Sequence, residues 1–479
     1  MTEGVESIHG GSSEESSRST VRTWIRAHRA ELLLGLLVLV IVGPVVQKDA
    51  AQQASRYVLT AAVVEEHTFA LDEYVDVLGI DRAVFEGHTY SDKAPGQPLL
   101  AVPFYALYRW VGGEPGTVLR VEGSLGLWWL TFWFAALPAA GLAILMYRAA
   151  RRIAPEGALP AALGMALATM LLPFSTLLFG HVLAALLALA AFMLVSKELS
   201  AWRVALAGAL VGLAVTVEYT MAILALVLGV YILWRVRNRI GWYLLGGVPF
   251  AAALAVYNWA VFGNPTVFSY QLSAFSEVAD APRRIGSIFS GFDPARLVEV
   301  FLAPRGFLVA TPLVILGLGG LIFMIRRRDT RIDGVFTSVL FLAFLALPVM
   351  WANPWGGDSP GARYMLPALP FLAVPLAMVW RRIPLVSLLA AGLGLLTMGS
   401  ATFTNPLLPR EIGYGLTTWM GMVGRGEWVT TLFTMWLGDW GWLIHLSLVA
   451  VVAVGLWFVA RTRSLDEIPG MQLRRLTFQ

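Results

Sequence analysis

The stretch from Arg22 to Ala50, RTWIRAHRAELLLGLLVLVIVGPVVQKDA, decides how the rest of the chain is read. Arg22, Arg26 and Arg29 precede an apolar run from about Leu32 to Val46, and Lys48-Asp49 follow at once. A short apolar core could mark a signal peptide, but no clean small-x-small cleavage site follows, so the run is taken as an uncleaved first membrane span. The twenty or so residues before the arginines are small and polar, as in a disordered tail.

Further apolar segments follow in a chain that is 57% hydrophobic and 14% charged over 479 residues, too apolar for a soluble protein of that size. At about 20 apolar residues per span, the sequence predicts an all-α polytopic membrane protein of about twelve helices. They lie near 30–47, 121–147, 158–176, 181–197, 204–218, 220–235, 243–262, 306–325, 334–352, 364–380, 384–402 and 440–460. Threaded with the N-terminus inside, this scheme leaves 22 of the 35 Lys and Arg residues on the inner side and 13 in longer outer segments. That asymmetry places both termini in the cytoplasm, with the protein in the plasma membrane. The expected organisation is a tail over 1–29, a transmembrane domain over 30–462 with long outer loops at 48–120, 263–305 and 403–439, and a tail over 463–479. Within the first loop, helical spacing around Tyr57–Phe69 and Pro98–Trp110 suggests amphipathic helices in the interface. The last loop is rich in Trp (Trp419, Trp428, Trp436, Trp440, Trp442), as an aromatic belt would be.

Several chemistries are excluded. The absence of cysteine removes disulfides, thiolate chemistry and Cys-ligated metals. The basic residues cluster beside apolar spans and read as topology signals, so no nucleic-acid partner is expected. No phosphate-binding loop, dinucleotide fingerprint or H-E-x-x-H spacing occurs. His67 and His88, with acids nearby, are the only local candidates for a divalent cation, and no other cofactor is implied.

The remaining ionisable groups gather on the outer side, from six separate segments. Asp49 stands at the mouth of the first span, where partial dehydration would raise its pKa and let it take a proton from a hydroxyl. The plainer reading is an interfacial charge beside Lys48. Arg56 and Tyr57 follow two helical turns later and could share its face if the helix is continuous. Tyr90-Ser91-Asp92-Lys93-Ala94-Pro95-Gly96 sets an acid and a cation at a Pro-Gly turn, either for a phosphate or as a solvated loop. His181 opens an apolar span, and Glu218-Tyr219 interrupts another. A charge inside such a run costs about 2–3 kcal/mol or more, so these residues have structural partners or a function. Arg305 (APRGF, 303–307) and Arg363 (WGGDSPGARY, 355–364) add cations on glycine-rich backbone, suited to a phosphate or simply snorkelling to water.

Together these residues resemble the GT-C superfamily of polyprenyl-phosphate-dependent glycosyltransferases, which includes protein O-mannosyltransferases and the lipid A aminoarabinose transferase. The resemblance rests on Asp49 after the first span, Arg56-Tyr57, and the Y-S-D-K-A-P-G stretch. Phe179-Gly180-His181, Glu218-Tyr219, Tyr257-Asn258 with Phe262-Gly263-Asn264-Pro265, Arg305-Gly306 and the segment ending at Tyr364 support it. It implies a GT-C-like bundle and a transfer, with inversion, from a polyprenyl-phosphate-linked sugar to an acceptor hydroxyl on a glycan, lipid or protein. Membrane lipids would surround the site. By the same resemblance Asp49 is the general base, Lys93 grips the lipid phosphate, and Asp92 orients it or contacts the acceptor. Arg305 and Arg363 stabilise the departing phosphate. Arg56, Tyr57, His181, Glu218 and Tyr219 are expected substrate contacts, although the matches at His181 and Glu218 fix no role. The chain departs from larger relatives in lacking a C-terminal periplasmic domain, and in having Lys48-Asp49 where some carry a pair of acids. Metal use is therefore left open. The rival readings are a lipid-linked glycan ligase or polymerase, and a flippase or transporter for lipid-linked sugars.

Overall fold

The computed structural model describes residues 28–119, 123–274, 291–351, 354–409, 412 and 415–466, with side chains as far as Arg461. The expected N- and C-terminal tails fall almost wholly outside these residues, as do parts of the loops 263–305 and 403–439.

The first span is helical through 28–42. Gly43 and Pro44 end it, since Pro cannot extend a helix and disfavours helical backbone before it. Val45–Val46 then turn extended and pair antiparallel with Thr430–Thr431, tying the residues before Asp49 to a segment almost four hundred positions later. Val45 and Val46 are buried.

Among the described residues, six helices are long and apolar enough to cross a membrane: Leu125–Arg151, Arg237–Phe262, Arg331–Met350, Arg363–Trp380, Pro384–Phe403 and Trp440–Arg461. Pro294–Ala310 and Pro312–Arg326, meeting at a 97° bend, make a seventh if taken as one span. This is fewer than the twelve expected, because several apolar runs form shorter helices: His181–Val195, Ala201–Val217 and Tyr219–Arg235. Glu218 is extended (φ −145°, ψ 117°) and ends Ala201–Val217 at the boundary expected between 204–218 and 220–235. The run expected at 158–176 is the helix Pro155–Leu167, which stops at Ala168. A helix such as His181–Val195, of 15 residues, rises about 22 Å, less than the ~30 Å hydrocarbon layer.

The first long segment is built differently from expectation. Its first helix runs Ala51–Glu65, beginning after Asp49, and every residue from Gln52 to Ala62 is buried. Such a helix is enclosed by protein on all sides and does not lie with one face in an interface. The second helix, Gly96–Trp110, is two-sided: Ala101 and Tyr105 are buried, whereas Leu107 and Trp110 are exposed. Between them lies an antiparallel hairpin, Arg82–Phe85 with His88–Ser91. Its turn residues Glu86 (φ 49°) and Gly87 (φ 86°) both adopt left-handed backbone, the conformation that matches the twist of a two-residue hairpin. Of the tryptophans expected in a belt, Trp436 and Trp440 are well exposed. Trp419 is fully buried and donates Nε1–H to the Asn405 carbonyl (2.8 Å).

Candidate active site

The hairpin and the Pro-Gly turn deliver Asp92 and Lys93 into the protein interior. Ser91 closes the last strand and its hydroxyl meets that of Ser55 at 2.8 Å, which docks the hairpin on the Ala51–Glu65 helix. Lys93 is 8% exposed and Asp92 1%. The Lys93 ammonium lies 3.0 Å from Asp81 Oδ1 and 3.1 Å from Asp92 Oδ1, and 6.0 Å from the centre of the Tyr270 ring. Asp92 Oδ2 accepts from Ser273 Oγ and from Lys93 Nζ, each at 3.2 Å. Burial opposes the charge on Lys93, but two carboxylates facing one ammonium outweigh it and hold its pKa above the ordinary lysine value. Burial, helped by the Asp81 carboxylate, raises the pKa of Asp92 by more than the Lys93 ammonium lowers it.

A second buried group lies beside this one. Arg56, 1% exposed, donates to Glu218 Oε1 at 2.6 Å, to Gln97 Oε1 at 3.3 Å and to the Val217 carbonyl at 3.4 Å. His181 Nδ1 comes within 3.3 Å of the same Glu218 oxygen, but neither ring nitrogen has hydrogen-bond geometry to any partner among the described residues. Removing one partner of such a buried pair strands the other's charge, at about 3–5 kcal/mol. Tyr219 is joined to Lys93 through Ser269, whose hydroxyl meets Tyr219 Oη at 3.3 Å and donates to the Lys93 carbonyl at 3.3 Å.

An apolar cavity of about 220 Å³ has its first wall at Pro95, two residues along the chain from Lys93. Pro95, Gly96, Leu99, Leu213, Leu254 and Tyr257 are among its walls, drawn from the helices Gly96–Trp110, Ala201–Val217 and Ile240–Phe262. The chain therefore passes within two residues from the charged cluster to the wall of this apolar cavity.

Asp49 sits apart from these groups, in a second cavity of about 310 Å³ that it shares with Gln47, Lys48, Leu177, Asp358 and Asn405. Partial burial raises its pKa above that of an ordinary aspartate, more than its backbone hydrogen bond lowers it. The segment 177–181 links the two regions. Leu177 lines the Asp49 cavity, Leu178 N–H donates to Gln53 Oε1 at 2.8 Å, and the Phe179 carbonyl accepts from Gln97 at 3.4 Å. Only about one helical turn, ~6 Å, separates Ala51 from Ser55, the residue that touches Ser91.

Other expected residues fall in different places. Tyr57 turns away from Arg56 into an apolar cluster and packs edge-on against Tyr105 at 5.5 Å. It does not share a face with Asp49, because the helix is not continuous through Asp49. Arg305 is 3% exposed, and its two terminal nitrogens donate to the carbonyls of Ser359 (3.1 Å), Leu408 (3.1 Å), Pro409 (2.8 Å) and Ile412. It clasps two loops together, so a phosphate would have to displace backbone acceptors. Arg363 differs: its guanidinium lies 5.5 Å from the Phe179 ring and 5.7 Å from the Tyr364 ring, and no carboxylate pairs with it among the described residues. His67 and His88 form no metal-binding group there; His88 Nδ1 instead contacts Asp72 at 2.6 Å on the surface. Asp81, Gln97, Gln53 and Ser273 were not anticipated. Each is a polar residue in a polar or mixed stretch, and only the hairpin and helix contacts reveal its partner.

Six described helices are long and apolar enough to cross a membrane, and the chain is a multi-pass membrane protein whose fold is shared with solved structures. The crystal structure of ArnT from Cupriavidus metallidurans, bound to undecaprenyl phosphate, aligns over 91% of this chain and 76% of its own, with 16% identity and a TM-score of 0.50. The oligosaccharyltransferase of Archaeoglobus fulgidus aligns over 83% of this chain and 54% of its own, at 13% identity and a TM-score of 0.44. The arabinosyltransferase EmbB of Mycobacterium smegmatis aligns over 91% and 41%, at 14% identity and a TM-score of 0.42. At such identities the likeness is one of fold. No family model and no curated protein matches the chain.

Proposed function

We propose that this chain is a membrane glycosyltransferase that moves a sugar from a polyprenyl-phosphate donor to an acceptor hydroxyl at the extracytoplasmic face, with inversion. The observation that carries this reading is the buried Asp92–Lys93–Asp81 cluster, two residues before Pro95, the first wall of the apolar cavity. A polyprenyl tail needs such a furrow, and its phosphate needs a cation at the end. ArnT, the solved structure that shares the fold, was crystallised with undecaprenyl phosphate.

In this reading the tail lies against Leu99, Leu213 and Leu254, and Lys93 and Arg363 hold the phosphate. Asp92 and Asp81 keep the ammonium charged and aimed; Asp92 acts on the donor through Lys93. Arg56, Gln97, Glu218 and His181 form the buried floor behind the donor, with Tyr219 steadying Lys93 through Ser269. Asp49 is the base. As the acceptor oxygen bonds to the anomeric carbon, the bond from that carbon to the phosphate oxygen breaks and its electron pair leaves with the phosphate. The hydroxyl proton passes to the Asp49 carboxylate. Arg305 and Tyr57 position loops and helices and do not touch substrate.

Lys93→Ala tests the donor half. The purified protein in nanodiscs, given a radiolabelled polyprenyl-phospho-sugar, is expected to show a donor KM raised by about ten-fold or more, the loss of one charge-assisted contact. A variant that folds and keeps the wild-type donor KM contradicts the assignment.

A further inference from the structure

Leu177 lines the Asp49 cavity, and the Phe179 carbonyl two residues on accepts from Gln97, next in sequence to Gly96 of the apolar furrow; in the proposed reading the furrow takes the donor. The geometry points to the Asp49 cavity as the acceptor subsite, shaped for one ring of an uncharged carbohydrate rather than a peptide or a phosphorylated acceptor. This rests on the glycosyl-transfer reading and specifies its second substrate.

Size is the first argument. At about 310 Å³ the cavity sits at the small end of ligand pockets, roughly 300–1,000 Å³, with room for a sugar ring and its hydroxyls. An extended peptide of five residues spans about 17 Å and needs an open groove with unpaired backbone to recognise it. The extended backbone beside Asp49 offers little of this kind, because Val45 and Val46 are already paired with Thr431 and Thr430.

The lining is the second argument. Asp49, Asp358, Gln47 and Asn405 bring polar groups, while Leu177 and Leu407 present apolar surface. That division matches a sugar ring, which carries hydroxyls around its edge and C–H groups on its faces. Charge is the third. Asp49 and Asp358 both line the cavity, and Lys48, the one cation among its described lining residues, also acts on Glu427. A phosphate on the acceptor would meet two carboxylates at once.

The walls are also held in place. Gln47 donates from its amide to Thr176 Oγ1 at 2.9 Å and to the Thr402 carbonyl at 2.8 Å, and Asn405 Oδ1 accepts from Leu407 N–H at 3.1 Å. Three distant stretches of the chain thus close around Asp49 in a fixed arrangement, which is what selection by shape requires.

The test uses the full chain in nanodiscs with farnesyl-phospho-mannose and farnesyl-phospho-arabinose as donor probes. Three acceptors are offered: an octyl monosaccharide glycoside, the same glycoside carrying a 6-phosphate, and a Ser/Thr-containing peptide. The neutral glycoside is expected to exceed the phosphorylated one in kcat/KM by about ten-fold or more, with no peptide product. Leu407→Trp, which fills the cavity, should raise the acceptor KM by about ten-fold and move the donor KM by less than about two-fold. Leu407→Ala, which opens it and removes the risk of a clash-driven folding failure, should admit an octyl disaccharide that the wild type uses poorly. Equal use of the peptide or the phosphorylated glycoside, or an unchanged acceptor preference in a folded Leu407→Ala protein, overturns the inference and leaves glycosyl transfer standing. No release of farnesyl phosphate with either donor and any acceptor contradicts the transferase reading itself.

Discussion

Lys93 keeps its charge in a place that disfavours charge, and it does so because two carboxylates surround it. Asp49 is perturbed in the opposite sense: its environment favours the neutral form. A general base works only when deprotonated, so a raised pKa means that activity is complete above the shifted value and is lost as pH falls through it. The acid limb of kcat/KM is therefore expected above the ~4 of an ordinary aspartate. A pH profile flat down to 4 would remove Asp49 from that role. Much of the buried cluster was legible in the sequence: His181 and Glu218 interrupt apolar runs, Arg56 follows a span, and Asp92-Lys93 lead into a Pro-Gly turn; Asp49 was legible too, but lies in a cavity of its own. Asp81 and Gln97 were not, because a polar residue in a loop or at a helix start carries no mark of the partner that folding will bring to it. Arg305 was visible, yet its chemistry was not, since four backbone carbonyls take up what looked like a phosphate ligand.

At the level of elements, the first long segment is where structure and sequence part most. A helical period around Tyr57 suggested an amphipathic helix, but burial from Gln52 to Ala62 shows that the period reports packing against several neighbours. The hairpin had a signal, Glu86-Gly87 between short β-compatible stretches, and it is the device that carries Asp92 inward. Gly96 sets how closely this assembly meets the bundle. A Cβ added there would fall 2.4 Å from Thr216 Oγ1 and 2.5 Å from its backbone oxygen. Gly96→Ala is expected to cost about 1–3 kcal/mol through forced displacement, seen as a lower thermal midpoint in detergent. Gly241→Ala, where an added Cβ meets nothing within 4 Å, is the matched control. An unchanged midpoint for Gly96→Ala would mean that the helix and Thr216 are not held together as the structure shows.

For the whole molecule, composition and the run of apolar segments were enough to read a helical membrane bundle. The number of spans was less legible, because a hydropathy run does not show how much of it folds as one helix: 158–176 stops at Ala168, and 181–197 yields only the 15-residue helix His181–Val195. The proposed topology, with the Asp49 and Lys93 regions outside, follows from the distribution of arginines and places the chemistry where a lipid-borne sugar would be met. In the proposed reading the apolar cavity takes the donor tail and the Asp49 cavity the acceptor. The most direct measurement of the proposed chemistry is polyprenyl phosphate release from a polyprenyl-phospho-sugar in nanodiscs, comparing wild type with Asp49→Asn. The wild type is expected to release the lipid phosphate and give product of inverted anomeric configuration, and folded Asp49→Asn to lose about 10²–10⁴ in kcat. An Asp49→Asn protein that turns over at the wild-type rate, or a retained anomeric configuration, would contradict it.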